Sequence, residues 1–170
     1  DGLIVHPFSN LPFLTGAALP AVHRGLEKAG RGREDFTLQI NAIVITGETP
    51  EARAAATESV RGLLGFYAST PAYRPPMEAV GYGELQPELN RLSKEGRWQE
   101  LGAHIDEAFL DTFTTRGEPG EIADKLRENA YTANPSAVDT SCSETPRARS
   151  ESSNTRNSAT WLSAVVQVSL

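Results

Sequence analysis

Residues 37–53 read TLQINAIVITGETPEAR, and they hold the pattern that decides the fold class. The apolar, β-branched run in the first half is typical of a buried strand, which we predict over 36–46. The second half is a helix start, because Thr49 can cap a helix and Pro50 suits the first helical position. The stretch therefore predicts a strand followed directly by a helix that extends to about residue 68.

The sequence before this stretch repeats the same order of elements. Residues 3–5, Leu-Ile-Val, form a short continuous apolar run. Such a run is typical of a strand buried on both faces of a parallel sheet. A helix is predicted from position 10 or 15 to position 29, with a kink or a late start because Pro20 lies inside it. The β-α-β-α order predicts parallel strands joined by right-handed crossovers, and so an α/β fold.

The sequence after the second helix predicts further helices. A connection rich in proline, glycine and tyrosine covers 69–83, and helices are predicted over 87–95, over 97–113 and from about 119. In the helix over 97–113, apolar side chains recur at helical spacing and are predicted to be core residues. They are Trp98, Leu101, Ile105, Phe109 and Phe113.

The composition of the chain changes at about residue 129. About half of residues 129–158 are Ser, Thr or Asn, and such a segment buries too little apolar surface to offset its ordering entropy, so we predict disorder. We divide the chain into a domain over 1–128 and a polar tail over 129–170, and we expect the tail to come from a shifted reading frame or an unrelated junction. Residues 159–170 alternate between apolar and more polar side chains, which is typical of a strand.

The composition also excludes several classes of protein. The chain has 170 residues, 16 Lys and Arg against 22 Asp and Glu, and a formal net charge of −6. Nucleic acid is not an expected partner, because phosphate binding needs a basic face. The single cysteine, Cys142, excludes an internal disulfide and a thiolate zinc site. No apolar run approaches the length of about 20 residues that spans a membrane, so we expect a cytoplasmic protein that does not bind membranes.

Four segments together resemble one known family. They are residues 1–5, DGLIV; residues 37–53; residues 66–74, FYASTPAYR; and residues 117–126, GEPGEIADKL. Their order and spacing are similar to the C-terminal third of luciferase-like monooxygenases, particularly the deazaflavin-dependent oxidoreductases. The resemblance covers roughly the first 128 residues. It implies a partial (β/α)8 TIM-type barrel of about two βα units with a helical excursion.

The resemblance also implies that the chain is part of a longer enzyme. A complete (β/α)8 barrel needs about 250 residues, and this sequence opens at Asp1 rather than at a methionine. Much of the family's cofactor cradle lies on the first five strands of the barrel. We therefore expect the isolated chain to be inactive and to bind cofactor weakly or not at all.

The activity implied by the resemblance is hydride transfer between coenzyme F420, or alternatively FMN, and a small organic substrate. Active sites of such barrels lie at the C-terminal ends of the strands, which makes His6, Ser9, Asn10 and Thr46 the candidate cofactor-binding residues. His6 would bind the ring or the substrate, or shuttle a proton; otherwise it is a loop histidine positioned by Pro7. Ser9 and Asn10 would donate to a ring carbonyl or a phosphate, or would cap the next helix. No metal site and no catalytic residue are assigned.

Two other interpretations of the chain stay open beside the enzymatic one. In the first, it is a non-enzymatic interaction fragment that associates with a second copy as a homo-oligomer, or with a complementary barrel fragment. In the second, it is a gene remnant without function. Tyr67, Tyr73 and Arg74 are predicted to line either a cofactor mouth or a subunit interface, although helix packing explains Tyr67 equally well.

Overall fold

The structure is a computed structural model that describes residues 2–32, 36–133 and 163–168. Over these residues the chain runs β-α-β-α, then through a long helical region, and then into a short strand and a helix. The strands that follow one another in this order are parallel neighbours in the sheet. The predicted α/β class, with the strand order of a partial barrel, is therefore confirmed.

Strand β2 (Thr37–Ile45) is the strand with which all the others pair. Strand β1 (Gly2–Val5) lies parallel to its first half, and β3 (Thr114–Arg116) lies parallel to its last three residues. Strand β4 (Ser163–Val168) runs antiparallel along residues 38–43. The predicted strand over 36–46 thus organises the described sheet.

Seven α-helices complete the described part of the chain, together with one π-helical turn and three 3-10 turns. The helices are α1 (Leu11–Phe13), α2 (Leu19–Lys28), α3 (Pro50–Ala68), α4 (Arg74–Glu78), α5 (Gln86–Lys94), α6 (Glu107–Phe113) and α7 (Pro119–Ala133). The π-helical turn is Leu14–Ala18, and the 3-10 turns are Pro71–Tyr73, Gly83–Leu85 and Trp98–His104. None of the helices in these ranges has both the length and the apolar character that crossing a bilayer requires.

The two faces of β2 pack into different apolar clusters, because successive residues of a strand point to opposite faces. Leu38 and Ile40 pack with residues of β1 and of the helical segment that follows it. Val44 packs with α7. Ile43 and Ile45 belong to the largest cluster, which also contains residues of α3 and of the helical region before β3. The apolar run of β2 is therefore buried on both sides of the strand.

A buried glycine brings α3 close to the 3-10 turn at residues 98–104. A Cβ atom at Gly65 would lie 2.8 Å from the backbone carbonyl carbon and oxygen of Leu101, a distance that side chains do not tolerate. Leu64 and Leu101 are almost completely buried on the two sides of this contact. Gly65 is therefore required for the approach that packs the helical region against α3.

The predicted irregularity near Pro20 takes the form of a π-helical turn. Helix α1 leads into this turn and then into α2, and the backbone N–H of Leu19 donates to the carbonyl of Leu14. Pro20 has no N–H, and its ring crowds the preceding turn of an α-helix. A wider turn is one of the ways in which a helix accommodates such a disturbance. The helical segment accordingly begins at Leu11 and passes Pro20 without ending.

The prediction of a single helix over 97–113 is wrong. The segment forms a 3-10 turn, breaks, and continues as α6 only from Glu107. Asp106 explains the new start, because its carboxylate accepts a hydrogen bond from the backbone N–H of Phe109 at 2.7 Å. This contact is an N-cap, which competes with continuation of the preceding helix.

Trp98 is not a core residue, contrary to the prediction. Its side chain is 49% exposed and lies beside Phe66, which is 48% exposed, with ring centroids 5.9 Å apart. The other four residues of the predicted stripe are buried: Leu101, Ile105, Phe109 and Phe113. A 3-10 turn has about three residues per turn, so the α-helical spacing that placed Trp98 on the buried side does not apply there.

Parts of the predicted tail form regular structure. Helix α7 continues to Ala133, and residues 163–168 form β4, which confirms the strand predicted from their alternation. The disorder predicted for 129–158 concerns, from residue 134 onward, residues outside the described ranges. The domain boundary after residue 128 and the shifted reading frame stay predictions.

Candidate functional site

The candidate residues follow the C-terminal ends of β1 and β2. His6, Ser9 and Asn10 lie between β1 and α1, and Thr46 directly follows β2. Strand β1 ends opposite Ile40, well before the end of β2, so Thr46 lies farther along the strand direction than the end of β1. The candidates therefore lie at the same edge of the parallel strands, but His6, Ser9 and Asn10 lie at the end of β1 and Thr46 lies at the end of β2.

His6 is held by two hydrogen bonds, one at each ring nitrogen. The backbone N–H of Phe8 donates to Nδ1 at 3.1 Å. Nε2 lies 3.2 Å from the hydroxyl oxygen of Tyr73. The first contact makes Nδ1 an acceptor, so the neutral ring carries its proton on Nε2 and donates it to the tyrosine oxygen.

Two tyrosine rings enclose the His6 side chain. Tyr73 stacks on the imidazole with centroids 4.7 Å apart, and Tyr67 meets it edge to face at 5.0 Å. Beneath them Phe8 is almost completely buried and stacks on Phe113 at 4.5 Å. Phe8 is absent from the candidate residues of the sequence analysis, although one large apolar residue in a polar loop often anchors that loop to the core. Here the Phe8 side chain fixes the loop after β1 on the core.

The pKa of His6 lies below its usual value because the surrounding rings remove part of its hydration. The hydrogen bond from Phe8 acts in the same direction, since a protonated Nδ1 could not accept it. Tyr67 and Tyr73 are the titratable groups that contact the ring. At neutral pH the residue is therefore an uncharged imidazole with one fixed donor.

Asn10 makes two structural contacts with its side chain. Its Oδ1 accepts from the backbone N–H of Phe13 at 3.0 Å and caps α1. Its Nδ2 donates to the carbonyl of Pro76 at 2.7 Å, inside the core. Of the two roles considered for Asn10, helix capping is the one that these contacts perform.

Ser9 and Thr46 have buried hydroxyl groups without a hydrogen-bond partner among the described residues. Buried hydroxyls in native proteins are usually paired, because an unpaired one costs free energy. Each therefore has an unused donor and unused lone pairs at a strand end. Of the four candidates, these two are the ones whose side-chain polar atom has no hydrogen-bond partner among the described residues.

Ser9 also borders a cavity of about 430 Å³ between the loop after β1, the middle of β2 and the start of β3. The lining is mostly apolar, with Leu14, Ile43 and Phe113 among its members. Asn41 adds an amide, whose Oδ1 accepts from the Gln39 side chain at 3.1 Å. Mostly apolar cavities of this size with a few polar groups are typical of small-molecule sites.

The remaining predicted residues separate into two groups. Tyr67 and Tyr73 lie at His6, as described, whereas Arg74 turns to the carboxylates of Glu78 and Glu84 at 2.7 and 3.2 Å. Among the described residues, no cluster of three His, Cys, Asp or Glu side chains has the arrangement of a metal site. The described site is therefore made of hydroxyls, amides, aromatic rings and one neutral histidine.

Comparison with known proteins gives matches over most of the chain. The family model for luciferase-like monooxygenases matches residues 1–134. Uncharacterised proteins of Mycobacterium bovis and Mycobacterium tuberculosis are 42% identical over 127 residues, which is 75% of this chain and 37% of theirs. The 5,10-methylenetetrahydromethanopterin reductase of Archaeoglobus fulgidus is 22% identical over 129 residues, or 75% of this chain and 38% of the reductase. The chain thus spans little more than a third of the length of these relatives.

Proposed function

Because this chain belongs to the luciferase-like monooxygenase family, we propose that it forms part of an oxidoreductase that acts on a small organic substrate. The proposed reaction is hydride transfer between the substrate and coenzyme F420, with FMN as the alternative cofactor. The match to a reductase supports a redox role. The chain would contribute the strand-end part of the cofactor site.

The observation that carries this proposal is the pair of buried, unpartnered hydroxyls at Ser9 and Thr46. Both follow strands of a parallel sheet, at the edge where barrel enzymes bind their ligands. A deazaflavin or flavin has ring carbonyls, ribityl hydroxyls and a phosphate, which can pair with such groups. The donor set therefore fits the cofactor, and the cavity beside Ser9 supplies a mostly apolar wall.

The cofactor, when bound, would supply the hydride chemistry, and the protein would supply position and environment. In this proposal Ser9 and Thr46 hold polar groups of the cofactor. His6, with Tyr67 and Tyr73 packed against it, adds an aromatic cluster after β1, and the neutral imidazole adds no charge there. Asn10 serves the site indirectly by fixing the loop that carries Ser9.

We infer that the chain alone holds an incomplete cofactor site, since it covers 37% of the mycobacterial relatives. Titration of the purified chain with coenzyme F420 and with FMN, followed by fluorescence, measures this directly. We expect dissociation constants weaker than about 1 µM, a free energy of about −8 kcal/mol. Binding in the sub-micromolar range would overturn the inference that the cofactor site of the isolated chain is incomplete.

A graft into the Mycobacterium tuberculosis relative tests the contribution of this chain to cofactor binding. The 127 matching residues of the relative would be replaced by those of this chain. If the relative binds coenzyme F420 or FMN, we expect the graft to bind the same cofactor within about tenfold. A graft that folds cooperatively but loses the cofactor would count against the proposal, as would a relative that binds neither.

Two variants of the graft test whether the hydroxyls of Ser9 and Thr46 contact the cofactor. Ser9→Ala and Thr46→Val remove the free hydroxyls, and each is expected to weaken cofactor binding about fivefold, the typical value of one neutral hydrogen bond. Thr15→Val is the matched control, because its hydroxyl is exposed and bonds to the carbonyl of Leu11. If all three variants bind the cofactor with equal affinity, the hydroxyls of Ser9 and Thr46 do not contact it.

A second candidate function is association through β1, which the exposure of its side chains favours. The predicted burial of β1 on both faces is wrong for the described residues, in which Leu3 is 41% exposed, Ile4 is 65% exposed and β1 pairs only with β2. An open strand edge with apolar side chains is a pairing surface for a complementary barrel fragment or a second copy. Light scattering after size exclusion tests it: a monodisperse monomer contradicts self-association.

The proposed setting is the cytoplasm. The acidic net charge and the single cysteine support a reducing compartment without a membrane or nucleic-acid partner.

A further inference from the structure

The contacts of His6 form a continuous hydrogen-bond chain from the backbone to a tyrosine hydroxyl. We propose that this chain fixes His6 as a positioning residue and directs the O–H of Tyr73 outward, as the hydrogen-bond donor for the carbonyl oxygen of an uncharged, planar substrate. The inference rests on the proposed function, whose substrate it places beside the strand-end site.

The first step is the assignment of the imidazole proton. Nδ1 lies 3.1 Å from the backbone nitrogen of Phe8, which can only donate. Nδ1 must therefore accept, and the proton of the neutral ring lies on Nε2. The burial of Phe8 keeps its backbone in place, so the assignment does not depend on a mobile partner.

The second step is the direction of the tyrosine proton. Nε2 lies 3.2 Å from the Tyr73 oxygen and donates to it, so that oxygen acts as the acceptor. The Tyr73 proton must then point elsewhere, and no acceptor for it is found in the described part of the chain. A hydroxyl that accepts a hydrogen bond is also a stronger donor, because neighbouring hydrogen bonds polarise one another.

The third step is the chemistry of the ligand. A phenolic donor beside a neutral imidazole offers polarity without positive charge. The nearby guanidinium of Arg74 is held by Glu78 and Glu84, so it gives no free cation to an anionic ligand. Tyr67 and Tyr73 are each half-buried, so part of each side chain stays accessible. A flat partner suits such rings, because offset stacking and edge contacts stabilise aromatic pairs. A planar molecule with a carbonyl oxygen matches this combination.

Histidine tautomer measurement tests the hydrogen-bond chain without any cofactor. Long-range proton–nitrogen correlation spectra of the ¹⁵N-labelled chain distinguish protonated from unprotonated ring nitrogens, and His6→Gln assigns the His6 signals. At pH 7.5 we expect an unprotonated Nδ1 and a protonated Nε2. A charged ring or a proton on Nδ1 would overturn the proposal.

Titration with 1-methyl-2-pyridone, a planar carbonyl compound without donors, tests the ligand class in the same spectra. We expect shifts of the His6 ring signals, and at least about fivefold weaker binding to Tyr73→Phe, which keeps the ring and loses the donor. Tyr82→Phe is the matched control, because its hydroxyl bonds to Asp106 at 3.3 Å instead. Its affinity should stay within twofold of the unmodified chain.

Three results would contradict the ligand assignment: no binding of the pyridone, equal binding by Tyr73→Phe, or tighter binding of the anion benzoate. None of these measurements involves F420 or FMN. A graft that fails to bind cofactor therefore refutes the proposed function but leaves the hydrogen-bond chain and the pyridone result standing, whereas a wrong tautomer refutes this inference alone.

Discussion

Asn10 shows how much of one residue's role is local and how much depends on distant contacts. An asparagine directly before a helix is a common cap, so its bond to Phe13 could be expected from the sequence. Its bond to the carbonyl of Pro76 joins residues 66 positions apart, which no local pattern predicts. The same applies to Ser9, whose missing partner becomes visible only when the neighbouring elements are in place.

Replacement of Asn10 by alanine should destabilise the fold by about 2 kcal/mol. The variant loses a helix cap, worth about 1 kcal/mol, and leaves the Pro76 carbonyl unpaired in the core. Urea unfolding followed by circular dichroism measures the change. Thr15→Ala removes an exposed hydroxyl on the same segment and should change stability by less than about 0.5 kcal/mol. Equal effects of the two substitutions would contradict the role of Asn10.

His6 should make stability depend on pH below about 6.5. Its folded pKa is lowered, chiefly by partial burial, so the unfolded chain binds the proton first as the pH falls. The contribution is fully present above the unfolded pKa and is lost as the pH falls toward the folded pKa. The stability advantage of the native chain over His6→Gln should therefore shrink between pH 7.5 and 5.5 in thermal unfolding.

The interval from pH 7.5 to 8.5 is the control for this prediction about His6. The imidazole does not titrate there, so the difference in stability between the native chain and His6→Gln should stay constant. A difference that grows on acidification would mean that the folded state prefers the charged ring.

Elements with strong local signals were predictable, and those that depend on partners were not. Strand β2 and helix α3 follow from a β-branched run and from the Thr49-Pro50 start, which the structure confirms. Strand β3 has only three residues, Thr-Thr-Arg, and is a strand because it pairs with the end of β2. The break before α6 depends on a single cap at Asp106, a residue that the helical spacing of its apolar neighbours places within a longer helix.

The contact between α3 and the 98–104 turn gives a prediction with an internal control. Gly65→Ala gains helix propensity of about 1 kcal/mol but forces a methyl group against the backbone of Leu101. Overpacking of this kind costs about 1–3 kcal/mol, so we expect net destabilisation or, at best, no gain. Gly62→Ala in the same helix has open space around its Cβ and should stabilise by about 0.5–1 kcal/mol.

The Gly65→Ala and Gly62→Ala variants are compared by urea unfolding. A stabilising effect of Gly65→Ala as large as that of Gly62→Ala would show that the helical region is not packed closely on α3.

At the scale of the whole molecule, the chain belongs to the luciferase-like monooxygenase family, and its described residues form three parallel strands, one antiparallel strand and a helical excursion. The family and the fold class were predictable because the order and spacing of several segments act together. The site was predictable only as positions at strand ends. Which of those residues keep free hydrogen-bonding groups depends on contacts between distant elements, and these separate Ser9 and Thr46 from Asn10.

The most direct test of this account is a crystal structure of the graft, grown with the cofactor that it binds. We expect the hydroxyl of Ser9 or Thr46 to lie within about 3.2 Å of an oxygen or nitrogen of coenzyme F420 or FMN, the range of a real hydrogen bond. A bound cofactor that leaves both hydroxyls unpaired and makes no contact with the loop from His6 to Asn10 would contradict the account.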